Sequence, residues 1–341
     1  MIRFECDYIE GGHPKIIEAL VKTNMEQTRG YGLDPHCEHA RQLILQACGN
    51  TNAKVHFLVG GTQTNMTVID ASIRSHHGVI SASSGHINVH ETGAVEGTGH
   101  KILTIDTADG KLTASDVDAL CRAHFGDEEP EHTVEPGMVY ISNPTEGGLV
   151  YTKSELSALS SVCHRYDLPL FMDGARLGYG LMSEENDLSL GDIASLCDVF
   201  YIGGTKVGAL FGEAVVFTNP SIEKDFRYQI KRHGGMLAKG RLLGIQFETL
   251  FTDNLYLDIS KNAIGLAMRI REAFADKGYH FFNDSKTNQQ FVLMDDDTLN
   301  RLSTDFMFAQ WGKTDEGYNI VRICTSWATT EENVDKLIAS I

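Results

Sequence analysis

Two short apolar stretches each end in one ionisable residue beside glycine: Leu168–Ala175 (LPLFMDGA) delivers Asp173, and Val199–Lys206 (VFYIGGTK) delivers Lys206. A lysine is ordinarily solvated. One carried out of a buried strand by a Gly-Gly-Thr turn loses hydration, which lowers its pKa and leaves a nucleophilic amine able to form a Schiff base. An aspartate at the end of a neighbouring buried strand is the partner a protonated pyridine nitrogen needs. The pair points to a site for pyridoxal 5'-phosphate.

Other candidates fall at similar strand ends. Gly60-Gly61-Thr62-Gln63 stands between a strand and a helix, where free N–H groups and the helix dipole favour an anion and Thr62 adds a hydroxyl. The segment matches neither GxxxxGK[ST] nor GxGxxG, which disfavours a nucleotide or dinucleotide. In Gly85–Ala94, His86 and His90 share a face if helical, but Glu91 follows the second histidine, so the HExxH order is absent and no metal site is expected. One imidazole lying flat on a cofactor ring is the better use. Asn143–Gly148 (NPTEGG) reaches the same edge and carries Glu146. Arg176, just beyond Asp173, offers a planar fork for a carboxylate, or a surface ion pair. Thr205 is either a turn residue or a phosphate contact. Lys231, Arg232 and Lys239 form either a solvated face or a group reaching a phosphate across a subunit interface. Arg322 stands inside an apolar strand, where a charge must be paired or functional; a second carboxylate contact is its assigned role.

The elements that must position these residues alternate. Strands at 55–59, 79–83, 102–105, 139–142, 168–172, 199–203 and 213–218 are separated by helices at 63–73, near 90–92, 114–124 (capped by Ser115), 153–166 and 191–196. That order predicts an α/β fold with a mainly parallel, seven-stranded-type sheet and ligands at its carboxyl edge. An arm (1–15) precedes a helix begun by Pro14. Residues 222–277 read as nearly continuous helix broken near His233–Gly235. Short strands at 279–282, 290–294, 306–311 and 319–324 and helices at 296–301 and 331–338 then form a smaller α+β unit. The expected domains are 1–15, 16–235 and 236–341.

At 341 residues, two domains are the default for a chain of this length. Its 42% hydrophobic and 22% charged residues are those of an ordinary globular protein, and a formal charge of −17 disfavours nucleic acid or an anionic membrane as partner. Seven scattered cysteines without a CxxC pair read as reduced thiols. With neither a signal peptide nor a spanning segment, the chain reads as cytoplasmic and complete.

Six segments in order carry a resemblance: GGTQTN (60–65), HINVHETGA (86–94), NPTEGGLVYTKSEL (143–156), MDGARLGYG (172–180), GGTKVG with GEAVVF (203–217), and VRICTSWATTEENV (321–334). The chain resembles the fold-type I pyridoxal-phosphate enzymes over essentially its whole length, and among them the L-threonine aldolase and β-eliminating lyase group. The resemblance implies an aminotransferase-like large domain and a small C-terminal domain. It makes Lys206 the Schiff-base lysine, Asp173 the partner of the ring nitrogen, and His86 the ring-stacking histidine. Gly61, Thr62 and Thr205 become phosphate contacts, and Arg176 and Arg322 a pair holding a substrate carboxylate. It further implies retro-aldol cleavage of a β-hydroxy-α-amino acid to glycine and an aldehyde, with β-elimination the alternative. A homodimer or homotetramer with the site at a subunit interface is expected. Two positions depart from the pattern. Cys6 stands where a serine commonly precedes Asp7, and Glu146 where some members carry a histidine. His86, His90, Glu146 or a water therefore remain open as the group that takes the hydroxyl proton.

Overall fold

The computed structural model describes residues 1–341, opening with β1 (Ile2–Arg3), α1 (Pro14–Thr23) and α2 (Pro35–Ala47). Both helices start on proline, whose missing N–H costs nothing there, and Asp34 caps α2 by accepting from the Cys37 N–H. The alternating part runs β2 (Lys54–Leu58), α3 (Gly61–Ser72), β3 (His77–Ala82), α4 (His86–Val89), β4 (Ile102–Ile105), α5 (Ala114–Phe125), β5 (Glu135–Ser142) and α6 (Lys153–Arg165). It continues through β6 (Leu170–Asp173), α7 (Leu177–Leu181), α8 (Leu190–Leu196), β7 (Val199–Gly203) and β8 (Glu213–Phe217). Beyond these lie α9 (Pro220–Glu223), α10 (Phe226–Arg232), α11 (Arg241–Phe251), α12 (Leu255–Asp276), β9 (Gln289–Met294) and α13 (Asp296–Leu302). The chain ends with β10 (Phe306–Met307), β11 (Ala309–Lys313), β12 (Asn319–Cys324) and α14 (Glu331–Ser340).

The central sheet has seven strands in the order β2-β8-β7-β6-β5-β3-β4. Every neighbouring pair is parallel except the two that include β8. Because β8 runs against the rest, its first residue, Glu213, pairs with Gly203 at the end of β7. Strand ends and one strand start thus share the carboxyl edge. Side chains alternate between two cores: Phe200 and Ile202 join the larger, Val199 and Tyr201 the smaller, so both sheet faces are covered.

The C-terminal part holds a three-stranded antiparallel sheet, β11-β12-β9, over a third core that also takes Phe4 from the arm. Leu243, Phe247 and Leu250 of α11 belong to the large core, and packing changes hands along α12 between Ile264 and Leu266. The change in apolar packing therefore falls later than residue 235, because α11 lies against α2 and the large domain.

Some local expectations differ. No helix begins at 90–92; α4 occupies His86–Val89 and stops because Thr92 and Gly93 take left-handed backbone (φ 53° and 72°). Thr113, not Ser115, caps α5, in a reciprocal pair with Asp116. Residues 279–282 provide only an isolated bridge at Phe281. The helical stretch from 222 is divided where Asp225 and Asn254 adopt positive φ (61° and 60°). No helix is long and apolar enough to cross a membrane.

Candidate active site

A cavity of about 210 Å³ opens at the carboxyl edge of the sheet. Gly60, Gly61 and Thr62 reach it from the start of α3, Asp173 from β6, Thr205 and Lys206 from the turn after β7, and Glu213 from β8. His86, Glu146 and Arg176 line it as well. Of the predicted residues, His90, Arg322 and Cys6 lie outside this lining.

Asp173 is buried and saturated with donors. Oδ1 accepts from Tyr201 Oη (2.5 Å) and the Ala175 N–H (3.0 Å); Oδ2 accepts from Tyr140 Oη (2.7 Å) and Asn65 Nδ2 (3.0 Å). Burial alone would raise its pKa. The nearby His86 charge and the bonds from Tyr201, Asn65 and Tyr140 outweigh burial and hold it below the ordinary value. Asn65 Nδ2 also donates to Glu91 Oε1 (2.7 Å), which bonds His86 Nδ1 (2.7 Å). Burial lowers the His86 pKa, but Glu91 and Asp173 raise it further, leaving it above the ordinary value.

Lys206 opens onto the cavity and is enclosed by protein elsewhere. Its Nζ makes no hydrogen bond or ion pair and stands 5.8 Å from the Tyr8 ring centre. Burial and the Arg176 charge push its pKa down, against Asp7, Asp173 and Glu213. Thr205 does not present a free hydroxyl as expected. Its Oγ1 donates to Glu213 Oε1 (2.7 Å) and accepts from the Gly212 N–H (3.1 Å).

Arg176 is likewise engaged: Nε and Nη2 form a fork with Asp7 (2.6 and 2.9 Å), which leaves the second Nη2 hydrogen and the two on Nη1 for a substrate. Asp7 is fully buried, and Arg176 and Lys206 bring its pKa to about 2 against the penalty of burial. Arg322 meets no carboxylate. Nη2 donates to the Glu5 carbonyl (2.9 Å), Nη1 to Gln289 Oε1 (3.2 Å), Nε is buried without a partner, and the guanidinium sits 5.1 Å over the Trp311 ring. Cys6 is half-buried in the arm beside Asp7. Glu146 Oε1 accepts from the His86 N–H (2.9 Å) and Ser142 Oγ (2.7 Å), and burial raises its pKa. His90 lies between His86 and Trp311, its pKa lowered by burial and by the His86 charge. The basic cluster is used within the chain: Arg232 pairs with Asp70 at 2.7 Å and Lys231 rests over Tyr31 at 5.1 Å.

Sequence reasoning missed Tyr140, Tyr201, Asn65, Glu91 and Glu213. The signal for the tyrosines was present, because a phenol inside a strand buried on both faces needs a partner for its hydroxyl. Glu213 was legible as a charge heading an apolar strand.

The donor set fits pyridoxal phosphate. Asp173 is a buried anion with neutral donors on both oxygens, ready for a cationic ring nitrogen, and Lys206 is an unpartnered amine. Gly60 caps α3 without any side-chain bond, and Gly60, Gly61 and Thr62 all line the cavity, so the first turn of α3, with its uncapped N–H groups, stands at the cavity wall.

The beta-eliminating lyase family profile matches residues 4–297. A low specificity L-threonine aldolase from a Pseudomonas species is 30% identical, covering 99% of this chain and 96% of its own. The structure of Leishmania major threonine aldolase superposes with a TM-score of 0.97 at 41% identity, covering 99% of this chain and 98% of that one. Thermus thermophilus aspartate aminotransferase shares the fold alone, with a TM-score of 0.72 at 14% identity, covering 100% of this chain and 90% of that one.

Proposed function

The chain belongs to the beta-eliminating lyase family, and from that premise we propose that it is a pyridoxal-phosphate-dependent aldolase. It cleaves L-threonine, L-allo-threonine and similar β-hydroxy-α-amino acids to glycine and an aldehyde. The observation that carries the reading is one cavity holding an ionised, donor-saturated Asp173 and a lysine whose pKa is lowered by burial.

Asp173 would hold a proton on the ring nitrogen, Lys206 the aldehyde carbon, and the amides at Gly61 and Thr62 the phosphate, while His86 lies along the ring. Bound there, pyridoxal phosphate supplies a ring that accepts the electron pair released as the Cα–Cβ bond breaks. The substrate carboxylate is held by the Nη1 and Nη2 hydrogens of Arg176 that Asp7 leaves free, and its second contact is assigned to Arg322, which stands behind the cavity lining and whose Nε lacks a partner. The Asp7 fork fixes the plane of Arg176 and leaves its Nη1–Nη2 end as the side that can meet a carboxylate. Glu146 takes the β-hydroxyl proton: it lines the cavity, its pKa is raised by burial, and a carboxylate there can accept a proton. His86 is less suited because Glu91 and Asp173 raise its pKa and favour the form that already carries the proton, and His90 because burial and the His86 charge lower its pKa and make it the weaker base. Glu146→Gln is expected to lower kcat by about 10²–10⁴-fold with cofactor binding unchanged. Activity near wild type would move the role to His90 or a water.

We also propose that a second copy of the chain completes the assembly, as a homodimer or a tetramer built from dimers. α1 sends Ile16 inward and leaves Ile17 and Val21, one turn apart, exposed on its outer face. Tyr8, Met25 and Leu210 are exposed too, and Tyr8 lies beside Lys206, so a partner seated here would border the site. Residence in the cytoplasm accords with seven free cysteines, six of them buried.

Purified protein with pyridoxal phosphate should be given L-threonine, L-allo-threonine and L-serine separately. Aldehyde and glycine in equal amounts support the aldolase. A 2-oxo acid with ammonia and no glycine assigns β-elimination instead.

A further inference from the structure

One buried acid in the cavity has no role in the reading above. Glu213 is 3% exposed, opens β8, and lines the cavity together with Gly60, Gly61, Thr62 and Thr205. Its oxygens accept from the Thr205 hydroxyl (2.7 Å) and the Gly204 N–H (3.0 Å), neutral donors both. A buried carboxylate served by so few donors, with no cation paired to it, is costly as an ion. Burial pushes its pKa up to about 8.

The site of that proton decides what Thr205 can do. Thr205 Oγ1 already accepts from the Gly212 N–H, and a hydroxyl has one hydrogen and two lone pairs. Against an ionised Glu213, the Thr205 hydrogen must point to the carboxylate. Against a protonated Glu213, the acid's own O–H donates to the second lone pair of Thr205, and the Thr205 hydrogen is released to the cavity.

We propose that Glu213 and Thr205 form a proton-controlled clasp for the cofactor phosphate at the amino end of α3. With Glu213 protonated, Thr205 donates to a phosphate oxygen. With Glu213 ionised, that donor is withdrawn and a buried like charge faces the phosphate. Thr205 touches the cofactor, and Glu213 is a positioning residue acting through it. The inference rests on the pyridoxal-phosphate reading. The titratable groups facing Glu213 are Lys206 of the adjoining turn, Asp173 of β6, Tyr201 of β7 and Tyr256 of α12. On β2 its register partner is Leu58, and the α11 side chains packed beside the adjoining Gly212, Leu243 and Phe247, are apolar.

The test is the ratio of affinities for pyridoxal phosphate and pyridoxal, titrated by intrinsic fluorescence into the full-length chain. The ratio isolates the phosphate, because Lys206 and Asp173 meet both compounds alike. The phosphate's own second ionisation, near pH 6, is essentially complete by about pH 7. Between about pH 7 and about pH 9.5 the wild-type ratio is expected to fall about tenfold or more, the worth of one charge-assisted hydrogen bond. Glu213→Gln donates permanently to Thr205 through its amide, so its ratio should stay within about threefold over that range. A flat wild-type ratio, or the same fall in Glu213→Gln, overturns the clasp. Should that variant not fold, Thr205→Val replaces it. A ratio already low at pH 7, with a fall smaller than the wild type's because only the like charge remains, supports the clasp, and a fall as large as the wild type's overturns it. Absence of saturable binding by either compound overturns the cofactor reading and the clasp with it. Binding without the pH effect removes the clasp alone.

Discussion

Two carboxylates are buried at the same sheet edge, yet they are driven in opposite directions. Asp173 receives four donors and the charge of His86, and stays ionised below the ordinary range. Glu213 receives two neutral donors, and burial takes it up to about 8. Burial is common to both. The number of aimed donors and the nearest charge decide which acid keeps its proton. The fold thereby sets two buried acids at one edge, Asp173 giving up its proton readily and Glu213, beside the start of α3, holding its proton more tightly.

Lys206 stands between these corners and feels both charges. Lys206→Ala should abolish the visible absorbance of lysine-bound cofactor and lower kcat/KM by at least about 10³-fold. Retained absorbance would transfer the covalent role to another amine. Asp173→Asn makes the two corners alike by neutralising the first. We expect cofactor still to bind and kcat/KM to fall about 10²–10⁴-fold; a loss under about tenfold would break the distinction drawn between the acids.

Tyr201→Phe sharpens the comparison by removing one donor. The acid limb of the kcat/KM profile should move up by about one pH unit, since a bond to a charged group is worth about 1.5–3 kcal/mol. An unmoved limb would assign the low pKa to His86 alone. The smallest effect concerns stability. Folding raises Glu213 from 4.5 to about 8, so the folded chain binds the proton more tightly, and that contribution is present below 4.5 and lost as pH rises to about 8. Glu213→Gln has no such loss, so its Tm relative to wild type should be higher at pH 9 than at pH 5, by about 2–6 °C. A pH-independent difference would mean that Glu213 is not titrating in this window.

Much of this was legible beforehand. The strand–helix alternation, the sheet edge and the placement of Asp173 and Lys206 follow from period and glycine turns. What the sequence concealed were partners. Nothing in the segment Asp173–Gly180 or in Asp7 announces that the Arg176 fork closes on the arm, because that contact spans 169 residues. Thr205 was left open between a turn residue and a phosphate contact; its hydroxyl accepts from the Gly212 N–H as a turn residue would, and its hydrogen goes to Glu213, which follows in the sequence but enters from a strand of opposite direction. The helix at 90–92 failed for a local reason, left-handed backbone at Thr92 and Gly93, which no hydrophobic period reports.

The reversed strand has a consequence for how the site comes apart. β7, the turn after it and β8 form one antiparallel hairpin, and that hairpin carries Thr205, Lys206 and Glu213 together. Both strands are fully buried and lie inside the sheet, with β2 beyond β8 and β6 beyond β7, so their amides should be among the slowest to exchange with solvent. Thr205, Lys206 and Glu213 are thereby tied at both ends to the interior of the sheet, so freeing them takes an opening that also disturbs the strand of Asp173.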